Sequence, residues 1–302
     1  MTQNDLLSQL DKVERIANSS KMGRFLRSPI KYLYAILHRK LIYSRQKKEI
    51  ATKCRTFFNL NMDILLPSST DIYLTGGKSH SSEIALARYM IREIGRGDIY
   101  LDIGAHYGYF SLLASQLVGE RGAVISIEAS PVTYMILSKN AKKTGNISTY
   151  NCAVSDKKQK MTFFEFPNLY SEYNSLFVGQ YEEEEWFKKY KPKEISIQAI
   201  RLDDFLMDQK IVPSFIKIDV EGAEYVVLKG AETYLAQHRT TIAMEYLSPN
   251  RGNEMHQKAE QYLKSIKYNS YIIEQDGTLL QVDDISGFLE KARIDSTNVI
   301  FK

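Results

Sequence analysis

From about residue 80 the chain switches repeatedly between two hydrophobic periods. Residues 81–94, SSEIALARYMIREI, carry apolar side chains at helical spacing up to Gly95, and IYLDIG is a short continuous apolar run of the kind a buried strand shows. The order then repeats. YFSLLASQLV predicts a helix, AVISIEA a second strand, PVTYMILSKNAKKTG a helix with proline near its start and glycine after its end, and STYNCAV a third strand. Farther on, SFIKIDV predicts a strand, AEYVVLKGAETYL one helix, TTIAMEYL a strand, and the last stretch a helix near 254–265 with strands near 268–273 and 297–301. The Asp276-Gly277 turn adds an antiparallel pairing at the C-terminal edge. Such alternation predicts an α/β fold on a mostly parallel sheet. An insertion at about 161–200 interrupts it, with MTFFEF and ISIQAI as strands flanking YEEEEWFKKYK.

Before residue 76 the pattern differs, and 1–75 reads as a basic, mainly helical extension preceding a domain at 76–302. Met22, Leu26, Ile30, Leu33, Leu37 and Leu41 recur every three or four residues, and Pro29 begins or kinks the helix. Two readings fit this stripe: a helix packed on the domain or on a second copy, or a helix lying on an anionic membrane. Charge sharpens the contrast. The net charge is +4, but the first 60 residues hold 13 Lys/Arg against 4 Asp/Glu, leaving 27 against 32 in the remainder, and residues 21–48 contain no acid. A basic head on a mildly acidic body suits an anionic partner.

Composition excludes several classes. Two cysteines, Cys54 and Cys152, make no disulfide scaffold and fit a reducing compartment. MTQNDLLSQLDKVER is a poor signal peptide, and no apolar run approaches the roughly 20 residues of a membrane span. The aromatics form no RNA-binding motif.

The run YLDIGAHYGYF ends a strand with Asp102 and then breaks at Gly104 and Gly108. Glycines here permit a tight turn and close ligand approach at the carboxyl end of a parallel sheet. Glu128 ends the next strand, where a carboxylate can accept both ribose hydroxyls of a nucleoside cofactor. A dinucleotide fits poorly, because His106 stands where the pyrophosphate fingerprint needs its middle glycine and Asp102 adds negative charge. A phosphate-free cofactor with a cationic end, S-adenosylmethionine, fits better.

These segments together with NCAVSD, RLDDFL and above all FIKIDVEGAEYVVLKGA resemble the FkbM-type S-adenosylmethionine-dependent methyltransferases over about residues 80–248. The resemblance implies a Rossmann-like class I fold, a seven-stranded mostly parallel sheet with helices on both faces. It implies hydroxyl methylation and cofactor contacts at Asp102, Gly104, Gly108 and Glu128. The neighbouring Ala105, His106, Ala129, Ser130 and Asp219 belong to the same rim, with adenine near Ala153 and a family glutamate matched by Glu83. The family usually has asparagine where this chain has His106.

A hydroxyl acceptor must lose a proton, so a general base or a metal is useful. Asp219 and Glu221 in KIDVEG are the leading acids, and His80 and His106 are further possible bases; an acid before a helix also serves as a cap. Glu245 is another rim acid. No strong metal set is present, so no metal is assigned. The expected reaction is O-methylation of a sugar hydroxyl in glycan assembly. The alternatives are a small natural product and, disfavoured, an NAD-dependent oxidoreductase. The expected partners are the carbohydrate or small-molecule acceptor, no nucleic acid, and a membrane surface or second copy at residues 21–48. The expected location is the cytoplasm, including the inner face of the membrane. Trp186 or Tyr190 could stack on a sugar if the insertion forms a lid.

Overall fold

The computed structural model describes residues 1–182 and 184–302, so Glu183 of the acidic stretch in the insertion lies outside the described residues. Helix α1 (Gln3–Ala17) opens with a capping box in which the Thr2 hydroxyl accepts from the Asp5 amide and the Asp5 carboxylate accepts from the Thr2 amide. Its apolar face, Leu6, Leu10, Val13 and Ile16, is buried, while Asp11 and Glu14 each lie 2.8 Å from the buried Arg88 guanidinium. Helices α2 (Lys21–Arg27) and α3 (Pro29–Leu37) follow, with Pro29 in the first turn where its missing amide costs nothing. The helical path continues through a π segment, His38–Tyr43, to Gln46. The extension is not helical throughout, because β1 (Ile50–Arg55) and β2 (Asn61–Leu66) form an antiparallel hairpin. Leu6, Leu10, Cys54 and Ile64 share one core with the helices Ser81–Glu93 and Tyr109–Val118.

The central sheet uses β3 (Ile99–Ile103), β4 (Ala123–Ile127) and β5 (Ile147–Tyr150), then, beyond the insertion, β9 (Phe215–Ile218) and β10 (Thr241–Leu247). β6 (Ala153–Ser155) precedes the insertion, which supplies β7 (Gln159–Glu165) and β8 (Lys193–Arg201), and the C-terminal part supplies β11 (Ser270–Ile273), β12 (Leu279–Gln281) and β13 (Ser296–Phe301). The order across the sheet is β12-β11-β13-β10-β9-β3-β4-β5. β5, β4, β3, β9 and β10 run parallel, and β13 is antiparallel to both of its neighbours. Eight strands stand where seven were expected; the eighth, β12, is returned by the Asp276-Gly277 turn, where Asp276 accepts from the Thr278 amide. Alternating strand residues feed opposite cores, Tyr100 on one side and Leu101 and Ile103 on the other, as expected of a sheet covered on both faces.

Two expected elements are divided. STYNCAV is two strands, β5 in the central sheet and β6 in a separate sheet ordered β6-β8-β7. Between them Asn151 donates to the carbonyls of Glu128 and Ala129, which turns the chain across the end of β4. AEYVVLKGAETYL is two helices, Glu224–Lys229 and Glu232–Gln237, broken at Gly230. A Cβ at Gly230 would lie 2.2 Å from the Ser155 carbonyl oxygen, so the break lets the helix pass against β6.

Candidate active site

The carboxyl ends of β3, β4, β9 and β10 open into one cavity of about 410 Å³. Gly104 turns the chain away from β3 at φ +79°, and a Cβ there would lie 1.8 Å from the Asp219 carbonyl oxygen. The glycine is therefore required first by the close approach of two strand ends. Beyond it, His106 adopts φ +49° and its amide donates to Glu128 Oε2 at 2.8 Å, while the Ser130 amide donates to Oε1 at 2.9 Å. These bonds fix the Glu128 carboxylate at the cavity wall. Burial pushes its pKa up to about 7, against the pull of those two amides. Next to Glu128 the wall is apolar, formed by Ala129, Ala153, Phe163 and Leu176.

A second group of acids faces the same space. Asp219, Glu221 and Glu245 line the cavity, and one oxygen from each lies within 4.8 Å of the others. That spacing lets three carboxylates share protons or hold one hard cation through oxygen ligands. Lys217 approaches from behind, its Nζ 2.8 Å from Asp219 Oδ2. Burial works against its charge, but Asp219 and Asp102 outweigh that and raise its pKa. Glu221, at φ +55°, accepts from the Tyr181 hydroxyl at 2.6 Å, and its carbonyl accepts from Ser175 Oγ and Gln180 Nε2. The insertion thus grips the turn that carries the acids. Burial and then Glu245 raise the pKa of Glu221; burial and then Asp219 raise that of Glu245 to about 8.

The rim is also charged. Lys78 bridges Glu83, at 2.9 Å, and Glu172 of the insertion. His106 Nε2 lies 3.0 Å from Ser171 Oγ, and burial lowers its pKa to about 4, so the imidazole is neutral near pH 7. Seven acidic side chains line the cavity against two cations, Lys78 and Arg251, with Glu221 and Glu245 held largely protonated near pH 7 and the rest of the lining still net acidic. Such a lining suits a cationic ligand and hydroxyl donors and repels a diphosphate.

Among proteins of known kind, the Methyltransferase FkbM domain matches residues 102–271, more than half of the chain. The chain belongs to the FkbM methyltransferase family. Over 163 residues it is 30% identical to the 31-O-demethyl-FK506 methyltransferase FkbM of Streptomyces tacrolimicus, covering 46% of this chain and 62% of that one. Over 169 residues it is 28% identical to methyltransferase sdnD of Sordaria araneosa, covering 48% and 64%. The chain spans less than two thirds of the length of these curated relatives. A crystal structure of methyltransferase FkbM from Methylobacillus flagellatus KT aligns with a TM-score of 0.44 at 16% identity, covering 78% of this chain and 53% of that one.

The cavity gathers Gly104, His106, Glu128, Ala129, Ala153, Asp219 and Glu221 of the FkbM domain together with Glu83 from the helix before it, with His80 exposed at the rim. Asp102, Ala105, Gly108 and Ser130 are buried and do not line it. Asp102 stands in register with Lys217 on the inner face of the sheet, 1% exposed, and accepts from the Ser111 hydroxyl at 2.6 Å. Gly108 is held against Leu137, and Ser130 caps the Pro131–Ala141 helix. Trp186 does not line the cavity either. Its ring stacks on Tyr170 at 4.6 Å and Tyr173 at 4.8 Å, and Tyr190 lies under the Lys47 ammonium. The sequence reading passed over Lys217, Tyr181 and Glu172. The one available signal was a lysine inside the apolar run FIKID.

Proposed function

We propose that the chain is an S-adenosylmethionine-dependent O-methyltransferase acting on a hydroxyl of a sugar-like acceptor. The observation that carries this reading is the joining, in one cavity, of the amide-held Glu128 beside an apolar wall and the Asp219, Glu221 and Glu245 cluster. In this reading Glu128 accepts hydrogen bonds from ribose hydroxyls, and the apolar wall at Ala153 and Phe163 suits an adenine face. The acidic lining favours the cation. When bound, S-adenosylmethionine supplies an electrophilic methyl group on its sulfonium.

The chain's own work is then to orient the acceptor and take its proton. Asp219 is the base we favour: its carboxylate is one-third exposed to the cavity and Lys217 fixes one oxygen, leaving the other for an acceptor hydroxyl. Glu221 and Glu245 accept hydrogen bonds from neighbouring hydroxyls. A polyhydroxylated acceptor would satisfy more of these oxygens than a single alcohol would. His80, exposed at the rim, is the alternative base.

NAD is disfavoured by His106, whose ring occupies the cavity side where a dinucleotide fingerprint keeps a glycine. A small natural product is the second reading for the acceptor, favoured by the name of the Streptomyces tacrolimicus relative. A screen with isotopically labelled cofactor against sugars, glycolipids and hydroxylated natural products separates them. Label transfer to a saccharide hydroxyl supports the first reading. Transfer only to non-sugar alcohols replaces it with the second, and failure with every hydroxylated acceptor removes both.

A further inference from the structure

The N-terminal extension contains its own contrast. Along α1 the apolar stripe is buried, with Leu10 at 0% exposure. Along α2 and α3 it is not. Ile30 is 83% exposed, Leu26 70% and Met22 65%, and Leu33, Leu37 and Leu41 are exposed as well. The two stretches also differ in charge. α1 carries acids, two of which hold Arg88, whereas residues 21–48 contain nine Lys/Arg and no acid. Lys21, Arg27, Lys31, Arg39 and Lys40 are exposed on the same helical path.

A run of large exposed apolar side chains is unusual on a protein surface and marks a partner. A second copy of the same surface would bring nine cations against nine. An anionic bilayer meets both features at once, because the apolar side chains enter the acyl boundary and the basic groups meet head groups. The other side of α3 is held to the domain: Tyr34 lies 6.4 Å from Tyr73 and Lys31 lies over the Tyr73 ring. Among the described residues no helix is long and apolar enough to cross a membrane. We propose that residues 21–48 are an interfacial docking surface for anionic lipid, lying on the bilayer.

The surface is tied to the cavity. The Leu169 amide donates to the Tyr43 hydroxyl at 2.9 Å, and Leu169 belongs to the turn Asn168–Tyr173, whose Ser171, Glu172 and Tyr173 line the cavity.

Vesicle sedimentation with the full chain tests the proposal, using phosphatidylcholine alone and phosphatidylcholine mixed with phosphatidylglycerol. Binding is expected to the mixed vesicles, weakening as salt shortens the Debye length. Reversing Lys21, Arg27, Arg39 and Lys40 to Glu, which leaves the Lys31 contact with Tyr73 in place, is expected to lower partitioning by more than about a hundredfold, at roughly fivefold or more per basic group. Ile30→Ser with Leu26→Ser is expected to lower it at constant charge. These positions are exposed, so melting temperature and cofactor binding should stay at the wild-type value. Absence of binding to the mixed vesicles at low salt overturns the proposal. So does wild-type binding by both variants, or a dimer in solution that Ile30→Ser dissociates while vesicle binding is absent.

Discussion

The Lys217 ammonium lies 2.8 Å from Asp219 Oδ2 and 3.9 Å from Asp102 Oδ1, so one buried cation links the inner face of the sheet to the cavity. The link follows from register, since Asp102 and Lys217 are opposed residues of the parallel pair β3 and β9. Removing one partner of a buried charged set leaves the others uncompensated, at about 3–5 kcal/mol. Lys217→Met is expected to lower stability by that amount in urea unfolding. Adding Asp102→Asn should recover part of it; a double variant no more stable than the single one would show that the pair does not interact.

Asp219→Asn keeps the size of the side chain but loses charge and proton-accepting ability. A general base typically contributes 10²–10⁴-fold. Turnover is expected to fall by about that factor while cofactor affinity changes little, which single-turnover kinetics and titration separate. Wild-type turnover in this variant would move the base to His80 or Glu221.

Glu128→Ala is expected to weaken cofactor binding by about 1–3 kcal/mol, the range for hydrogen bonds to a charged group. The pH dependence has a definite sign. Burial raises the Glu128 pKa to about 7, and hydroxyls bind the ionised form better, so affinity should rise as pH increases through 7 and level off above it. Glu128→Gln should flatten that dependence. An affinity falling over the same range in the wild type would show that the protonated carboxyl is the binding form.

Gly104→Ala would set a Cβ 1.8 Å from the Asp219 carbonyl oxygen, whereas at Gly97, also at positive φ, a Cβ would meet nothing within 4 Å. Gly97→Ala therefore measures left-handed strain alone, about 1 kcal/mol. Gly104→Ala is expected to lower the melting temperature well beyond Gly97→Ala and to displace Asp219. Equal melting temperatures would mean that the strand ends separate without cost.

The α/β frame and several cavity residues were legible because each buried strand is a short apolar run bounded by punctuation. Glu128 and Asp219 stand where such runs end. Contacts between distant segments were not legible. Nothing local tells that Tyr181 donates to Glu221 forty residues away, or that Asn151 turns STYNCAV out of one sheet into another. That Asp102 lies behind the cavity lining, on the same face as Lys217, was not legible either, because strand position alone does not say which face the acid takes. The exposed stripe at 22–41 has the same periodicity as a core-facing one, and only burial separates the two.

Calorimetric titration of the full chain with S-adenosylhomocysteine, with NAD as the comparison, tests the central claim most directly. The cavity predicts saturable binding of S-adenosylhomocysteine, weakened in Glu128→Ala, and no heat with NAD. Saturable NAD binding with no response to S-adenosylhomocysteine would contradict it.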